Sequence, residues 1–339
     1  ASIPSEMRSN LWTISVSLFV ALIFTLVVLF MIAQYEFYWM LYLAALVAGL
    51  AAVWAVIRAK PIPQPVDVLR ADLWGVFIGV VLVLLPAQIF FVMRGQPAGQ
   101  EVQADRPLRV MTYNIHQGIN ADLVVDLQAI AEAIKAEDPD VVVLNEVNRA
   151  RATNGFLDVL PYLSQELDMP YVFGPYSADG QYGNAVLSRY PVVSWDNNPY
   201  QNKTTEVRGA LRVVVDAPGG AITFYATHLD HLESPEDVRA EQVQELLALW
   251  ANNPRSIIIG DLNTTPDTPE LAPVYQAGFI DILRAAGGFD TAFTFWNNPP
   301  VPGKRIDFIF ITPDLSFGQV WIPETRASDH LPVVAEIEP

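Results

Sequence analysis

"SIIIGDLNTTP", residues 256–266, sets an apolar strand against a polar turn: Ser256 to Ile259 read as buried strand, Gly260 follows, and Asp261 and Asn263 come at once. A carboxylate and an amide two residues apart at the end of a core strand either begin a turn by bonding their own backbone or carry chemistry. The pattern recurs along the chain. Asn114 ends "VMTYN", Glu146 ends "VVVLNE", His228 ends "TFYATH", Asp307 lies in "RIDFIF", and Asp329 with His330 precede the last strand in "ASDHLP". Strand ends that face one way form a shared crevice, where polar groups converge. Asp307 is the hardest to explain structurally, because a carboxylate between Ile306 and Phe308 needs a neighbouring His or Arg to offset its desolvation.

Outward from this stretch, "LRVMTYN", "DVVVLNE", "NAVLS", "LRVVVD", "AITFYATHL", "SIIIGDLN", "RIDFIFI" and "PVVAEIE" are short runs rich in Val, Ile, Phe and Tyr, as strands are. Two segments carry helical period instead. Leu123, Leu127, Ile130 and Ile134 recur at i, i+4, i+7 and i+11, and 235–251 opens with Ser234 as N-cap, Pro235 at the first helical position and Asp237 behind it. Eight strands with few helices between them predict two β-sheets packed on each other and covered by helices outside, a four-layer α/β (α+β) sandwich.

The N-terminal part is of another kind. With 339 residues and 52% hydrophobic content, the chain is too long for one ordinary domain and too apolar for a purely soluble one. Residues 11–32, 37–57 and 73–92 are apolar runs about long enough to cross a ~30 Å hydrocarbon core as helices. They exceed the apolar core of a signal peptide and come three in a row, so residues 1–93 read as a membrane domain that holds the chain in a lipid bilayer. Arg8 precedes the first run, and Arg58, Lys60 and Arg70 lie between the second and third, which puts those segments inside and everything after the third run outside the cytoplasm. Residues 94–106, "RGQPAGQEVQADR", read as a short tether to a globule over 107–339.

The formal charge of −17 belongs wholly to that globule, which holds 14 basic and 31 acidic side chains. Polyphosphate backbones attract stripes of Lys and Arg, so no broad DNA-binding surface is expected. The chain has no cysteine, which excludes disulfides, thiolate catalysis and Cys-based zinc sites. The polar residues at the strand ends suit metal-assisted phosphodiester cleavage. Glu146 and Asp329 offer hard oxygen ligands, and without thiols the ion expected is Mg²⁺ or Mn²⁺.

"TYNIHQG", "LNEV", "GNAVLSRYPV", "THLDH", "IIIGDLNTTP", "RIDFIFI" and "ASDHLPV" resemble, in order, the motifs of the endonuclease/exonuclease/phosphatase superfamily, the DNase I-like hydrolases. The resemblance covers about 107–339. It implies Glu146 as metal ligand with Asn114 beside it, Asp329 as a metal carboxylate or its support, and Asp261 as the base or water-orienting aspartate. It further implies that His228 and His330 face the phosphoryl group, that Asn263 supports phosphate or nucleophile, and that Asp307 fixes the tautomer of His330. The DNA repair members carry an acidic residue two after the "YN" asparagine, where this chain has His116. His116 and Arg208, in "EVRGAL", are candidates to meet the substrate; Arg208 reads equally well as an exposed hairpin residue. "YNIH" after membrane helices also resembles, more loosely, the C-terminal domain of proteins implicated in remodelling GPI-anchor lipids.

Three functions follow from this reading. The first is a membrane-anchored phosphodiesterase acting outside the cytoplasm on a lipid headgroup or small phosphoester. The others are an extracytoplasmic nuclease, and a scaffold module that keeps the fold without turnover. Oligomeric state is left open by the sequence.

Overall fold

The structure is a computed structural model, and it describes residues 106–151, 155–201, 207–232, 236–287, 292–297 and 301–338. The three apolar runs, nearly all of the tether, Ser234 and Pro235 lie outside the described residues. Among the described residues no helix is long and apolar enough to cross a membrane.

One sheet contains β1 (Leu108–Asn114), β2 (Val141–Asn148), β3 (Tyr171–Pro175), β4 (Tyr182–Ser188), β11 (Ser316–Trp321) and β12 (Val333–Glu338), in the order β11-β12-β1-β2-β4-β3. The other contains β5 (Val192–Pro199), β6 (Gly209–Ala217), β7 (Gly220–His228), β8 (Ser256–Asp261), β9 (Ile280–Asp281) and β10 (Asp307–Ile311), in the order β5-β6-β7-β8-β10-β9. At the centre of each sheet lies one parallel pair, β1 with β2 and β7 with β8. The crossovers of those pairs carry helices α1 (Leu127–Glu137) and α3 (Glu236–Trp250); α2 (Val159–Leu167), α4 (Ala272–Gln276) and α5 (Ile282–Ala285) are the other α-helices among the described residues.

Three apolar clusters make the layers. Val110, Val143, Val213, Phe224, Ile257, Ile259 and Ile309 fill the space between the sheets. Met111, Val142 and Leu144 face the other way onto Ile130, Ile134, Leu160 and Leu163 of α1 and α2. Tyr225, Ile258, Phe308 and Phe310 do the same onto Val243, Leu246 and Val274 of α3 and α4. The "III" of β8 is continuous because a strand covered on both faces has no side to leave polar.

All eight expected strands are present, and they are the eight interior ones. The four extra strands, β3, β5, β9 and β11, are the four sheet edges. The helix expected from Leu123 begins at Leu127 instead. Asp126 caps it, its carboxylate accepting from the Ala129 amide at 3.0 Å, while Leu123 is exposed with φ +61°.

Candidate active site at the strand ends

Strand register gathers the polar residues. Asn114 lies opposite Asn145 where β1 ends alongside β2, His228 opposite Asp261 at the ends of β7 and β8, and Asp307 opposite Asp261 across β8 and β10. The pairing of β2 with β4 shifts between Leu144 and Val147, and within that bulge Glu146 takes φ +55°. A bulge re-aims a side chain that strict alternation would send elsewhere. Gly260 holds φ +141°, and a Cβ there would lie 2.0 Å from the Thr227 carbonyl oxygen. Only glycine allows β8 to come that close to β7. Two residues on, the Asn263 amide donates to Asp261 Oδ1 at 2.8 Å, so the turn and the convergence of side chains coexist.

Asp261 is the hub. Its Oδ2 accepts from Asn114 Nδ2 at 2.9 Å, with His228 Nε2 at 3.5 Å and His330 Nε2 at 3.7 Å. Asn114 Nδ2 also reaches Glu146 Oε1 at 3.3 Å. Burial, then the neighbouring Asp307 carboxylate, push the Asp261 carboxyl up to about 7 against the opposing pull of His330. His330 Nδ1 donates to Asp307 Oδ2 at 2.8 Å, the partner that the buried carboxylate required. Burial alone would lower His330, but Asp307, Asp261 and Asp329 outweigh it and raise the imidazole to about 10. A protonated His330 between Asp261 and Asp307 offsets much of their charge. We therefore read this trio, whose ligand-type atoms lie within 4.8 Å of one another, as an acid–base relay in preference to a metal cage.

Burial, then the Arg208 charge, hold His228 well below the ordinary imidazole value, so it is neutral. Arg208 NH1 lies 3.0 Å from Nδ1 and can only donate. The proton of the neutral ring is therefore on Nε2, toward Asn263 Nδ2 at 3.0 Å and Asp261. Asn263 Nδ2 itself donates to the Leu229 carbonyl at 3.1 Å, which leaves the Asp261 carboxylate as the acceptor facing the ring. Tyr176 OH stands 3.2 Å from Nδ1 on the other side.

Asp261, Asn263 and His330 open onto a cleft of about 970 Å³ that His116, Glu146, Arg208 and Asp329 also line, while Asn114 and His228 are buried behind it. Asp307 stands behind His330, fully buried. Arg208 is 2% exposed and lines this cleft, so it is not the exposed hairpin residue that its sequence context also allowed. His231 lines the cleft too and sits with Nδ1 3.1 Å from Arg208 NH2. Glu146 and Asp329 are partly exposed at the cleft, unlike Asp261 and Asp307. Beside them His116 Nδ1 is buried without a hydrogen-bond partner, 3.6 Å from Asp329 Oδ1. Two accessible carboxylates, the Asn114 amide and an unsatisfied buried nitrogen fit a divalent cation.

Sequence reasoning missed Asn145 and Asn184. Both are buried, and their carboxamides lie behind Asp261. The only signal was an amide inside each of the apolar runs "VVVLNE" and "GNAVLS".

A two-sheet sandwich whose strand ends bring carboxylates, imidazoles and amides onto one cleft defines a hydrolase acting on phosphoester bonds. The comparison with known families makes this specific: the Endonuclease/Exonuclease/phosphatase family matches residues 111–330, and the chain belongs to it. Enzymes of the family depend on a divalent metal ion. Protein YbhP of Escherichia coli K12 is 28% identical over 246 residues, 68% of this chain and 95% of that protein. The crystal structure of an endonuclease/exonuclease/phosphatase from Beutenbergia cavernae superposes with a TM-score of 0.57 at 30% identity, covering 68% of this chain and 71% of that one. Protein cwh43 of Schizosaccharomyces pombe is 25% identical over 175 residues, 51% of this chain but only 18% of that protein.

Proposed function

We propose that the chain is a membrane-anchored phosphodiesterase that uses Mg²⁺ or Mn²⁺ and hydrolyses a lipid headgroup or another small phosphodiester outside the cytoplasm. The observation that carries the hydrolytic part is the gathering of two imidazoles on one carboxylate beside the cleft, His228 Nε2 at 3.5 Å and His330 Nε2 at 3.7 Å from Asp261 Oδ2, with the carboxyl held above its ordinary proton affinity by burial. Asp261 has a proton affinity suited to accepting a proton from water near neutrality. Protonated His330, held by Asp307, and the Nε2–H of His228 are donors for phosphoryl oxygens, and they gain strength as charge develops there. Asn263 orients the attacked group from the same turn. Glu146, Asp329 and Asn114 would hold the ion, with His116 and Arg208 at the substrate's edge. When bound, the ion supplies Lewis-acid polarisation and neutralises phosphoryl charge.

Support for the membrane and substrate parts comes from the apolar runs before residue 93, the distribution of Arg and Lys around them, and the acidic domain. An extracytoplasmic nuclease is the second reading. The excess of acidic over basic side chains in 107–339 speaks against a long polyphosphate substrate. A scaffold without turnover is disfavoured by the clustering of Asp261, His228 and His330 within 3.7 Å at the cleft.

The full chain, purified in detergent and assayed with Mg²⁺ or Mn²⁺ and with EDTA, separates these readings. Phosphatidylinositol and sphingomyelin vesicles, bis(p-nitrophenyl) phosphate and plasmid DNA form the substrate panel. EDTA-sensitive headgroup release is the expected result; DNA cleavage with inert vesicles would transfer the assignment to the nuclease. Unchanged cellular function in a folded Asp261→Ala variant would favour the scaffold.

A further inference from the structure

The site is split between the sheets. Asn114 and Glu146 stand on β1 and β2 of one, while His228, Asp261 and Asp307 stand on β7, β8 and β10 of the other. Most of what lies between the sheets is aliphatic and aromatic, with Asn197 of β5 donating to the Pro175 carbonyl of β3 toward the sheet edges. Apolar packing is non-directional and does not by itself fix how far one sheet slides along the other.

We propose that Asn145 and Asn184 are positioning residues whose paired carboxamides lock the two halves of the site in register. Asn145 Nδ2 donates to Asn184 Oδ1 at 2.9 Å and across the sheets to the Thr227 carbonyl, also at 2.9 Å. Its Oδ1 accepts the Asp261 amide at 3.0 Å. Asn184 Nδ2 donates across the sheets to the carbonyls of Gly209 and Ala226, each at 3.1 Å. Both N–H bonds of each side chain are used and both side-chain oxygens accept, so the pair is fully satisfied at 0% and 1% exposure. Each strand that carries His228 or Asp261 is thus bonded to a side chain of the opposite sheet, next to the reacting groups. Asn145 also precedes Glu146 directly, so one backbone segment sets the metal side and grips the base side. Sliding the sheets would strand several buried polar groups at once, which directional bonds resist and apolar contacts do not. The Gly260 contact belongs to the same arrangement, since a Cβ there would also press on Asn145 Oδ1 at 3.2 Å.

The test compares Asn145→Ala, Asn184→Ala and the double variant in the full-length protein. A control, Ser256→Ala, removes a buried hydroxyl at the far end of β8. For bis(p-nitrophenyl) phosphate with Mn²⁺, each single variant should lose about 100-fold in kcat while KM stays within about threefold, the signature of misplaced reacting groups. The double variant should be no worse than the poorer single one, because the amides act as a unit. Ser256→Ala should lower the melting temperature and leave kcat unchanged. Hydrogen exchange followed by mass spectrometry supplies a readout that needs no substrate: the Asp261 amide should lose protection in Asn145→Ala while β12 of the first sheet keeps its own. Wild-type kcat in a folded Asn145→Ala, or unaltered exchange at Asp261, would overturn the proposal. Should alanine at either position prevent folding, Asn184→Ser is the smaller lesion and is held to the same two criteria.

Discussion

Asp261 and His330 are both held away from their ordinary proton affinities, and the signs of the two shifts determine how the metal-free protein answers to pH. Asp261 is raised from 3.8 to about 7, so the folded state loses stability as pH climbs through that interval. His330 is raised from 6.5 to about 10; its contribution is present in full below about 6.5 and is lost as pH rises through about 10. His228, lowered, works the other way and costs stability as pH falls below its ordinary 6.5. Asp261→Asn removes a charge that the fold tolerates at a cost. In the presence of EDTA this variant should melt higher than the parent at pH 8 and about level with it at pH 4, by scanning calorimetry, while kcat with metal falls about 1,000-fold. Gly260→Ala should act in the opposite sense, losing more than about 2 kcal/mol in urea unfolding, because neither the positive φ nor the Thr227 contact admits a Cβ. Of the cleft lining, Tyr182, Arg239, Glu270 and Phe295 had no signal in the sequence; Asn114, Glu146, His228, Asp261 and Asp307 were legible there, since each is a polar group at the end of, or inside, an apolar run. Asn145 and Asn184 were not: the partners that explain a buried amide lie on another sheet, 82 residues away for Thr227 and 42 for Ala226.

At the scale of the element, pattern recognition worked where burial is two-sided and failed where it is not. The runs that announce themselves as strands are covered on both faces and flanked on both sides. β5 reads "VVSWDNNP", with Val193 and Trp195 largely exposed, and β11 reads "SFGQVW"; edge position removes the apolar signature from both. The start of α1 was misplaced because periodicity ran on through Leu123, whereas the cap decides where the helix begins. Asp126→Ala should therefore cost about 1 kcal/mol in urea unfolding and leave turnover unchanged. The bulge at Glu146 makes a different prediction. Glu146→Gln keeps the size and the local backbone, so Mn²⁺ affinity by calorimetric titration should fall at least about tenfold with an unaltered melting temperature.

For the molecule as a whole, the excess of carboxylates in 107–339 predicts that plasmid DNA is not retained in a gel-shift assay at physiological salt with EDTA present, whatever the substrate proves to be. Sheet order carries a further implication. Starting from β5 the second sheet runs hairpin, helical crossover between parallel strands, then a returning antiparallel pair; starting from β11 and passing from β12 into β1, the first sheet runs the same way. In this correspondence Asn114 matches His228, each at the end of its strand, and Asn145 matches Asp261, each opposite that residue in the parallel pair. The cleft lies between like ends of two like units, one of which the chain enters midway and completes last. The ends of that unit are already neighbours, for Leu108 pairs with Ile337. A circular permutant of 106–338, joined from β12 to β1 by a short turn and opened between β10 and β11, would encode two uninterrupted copies of one topology in tandem.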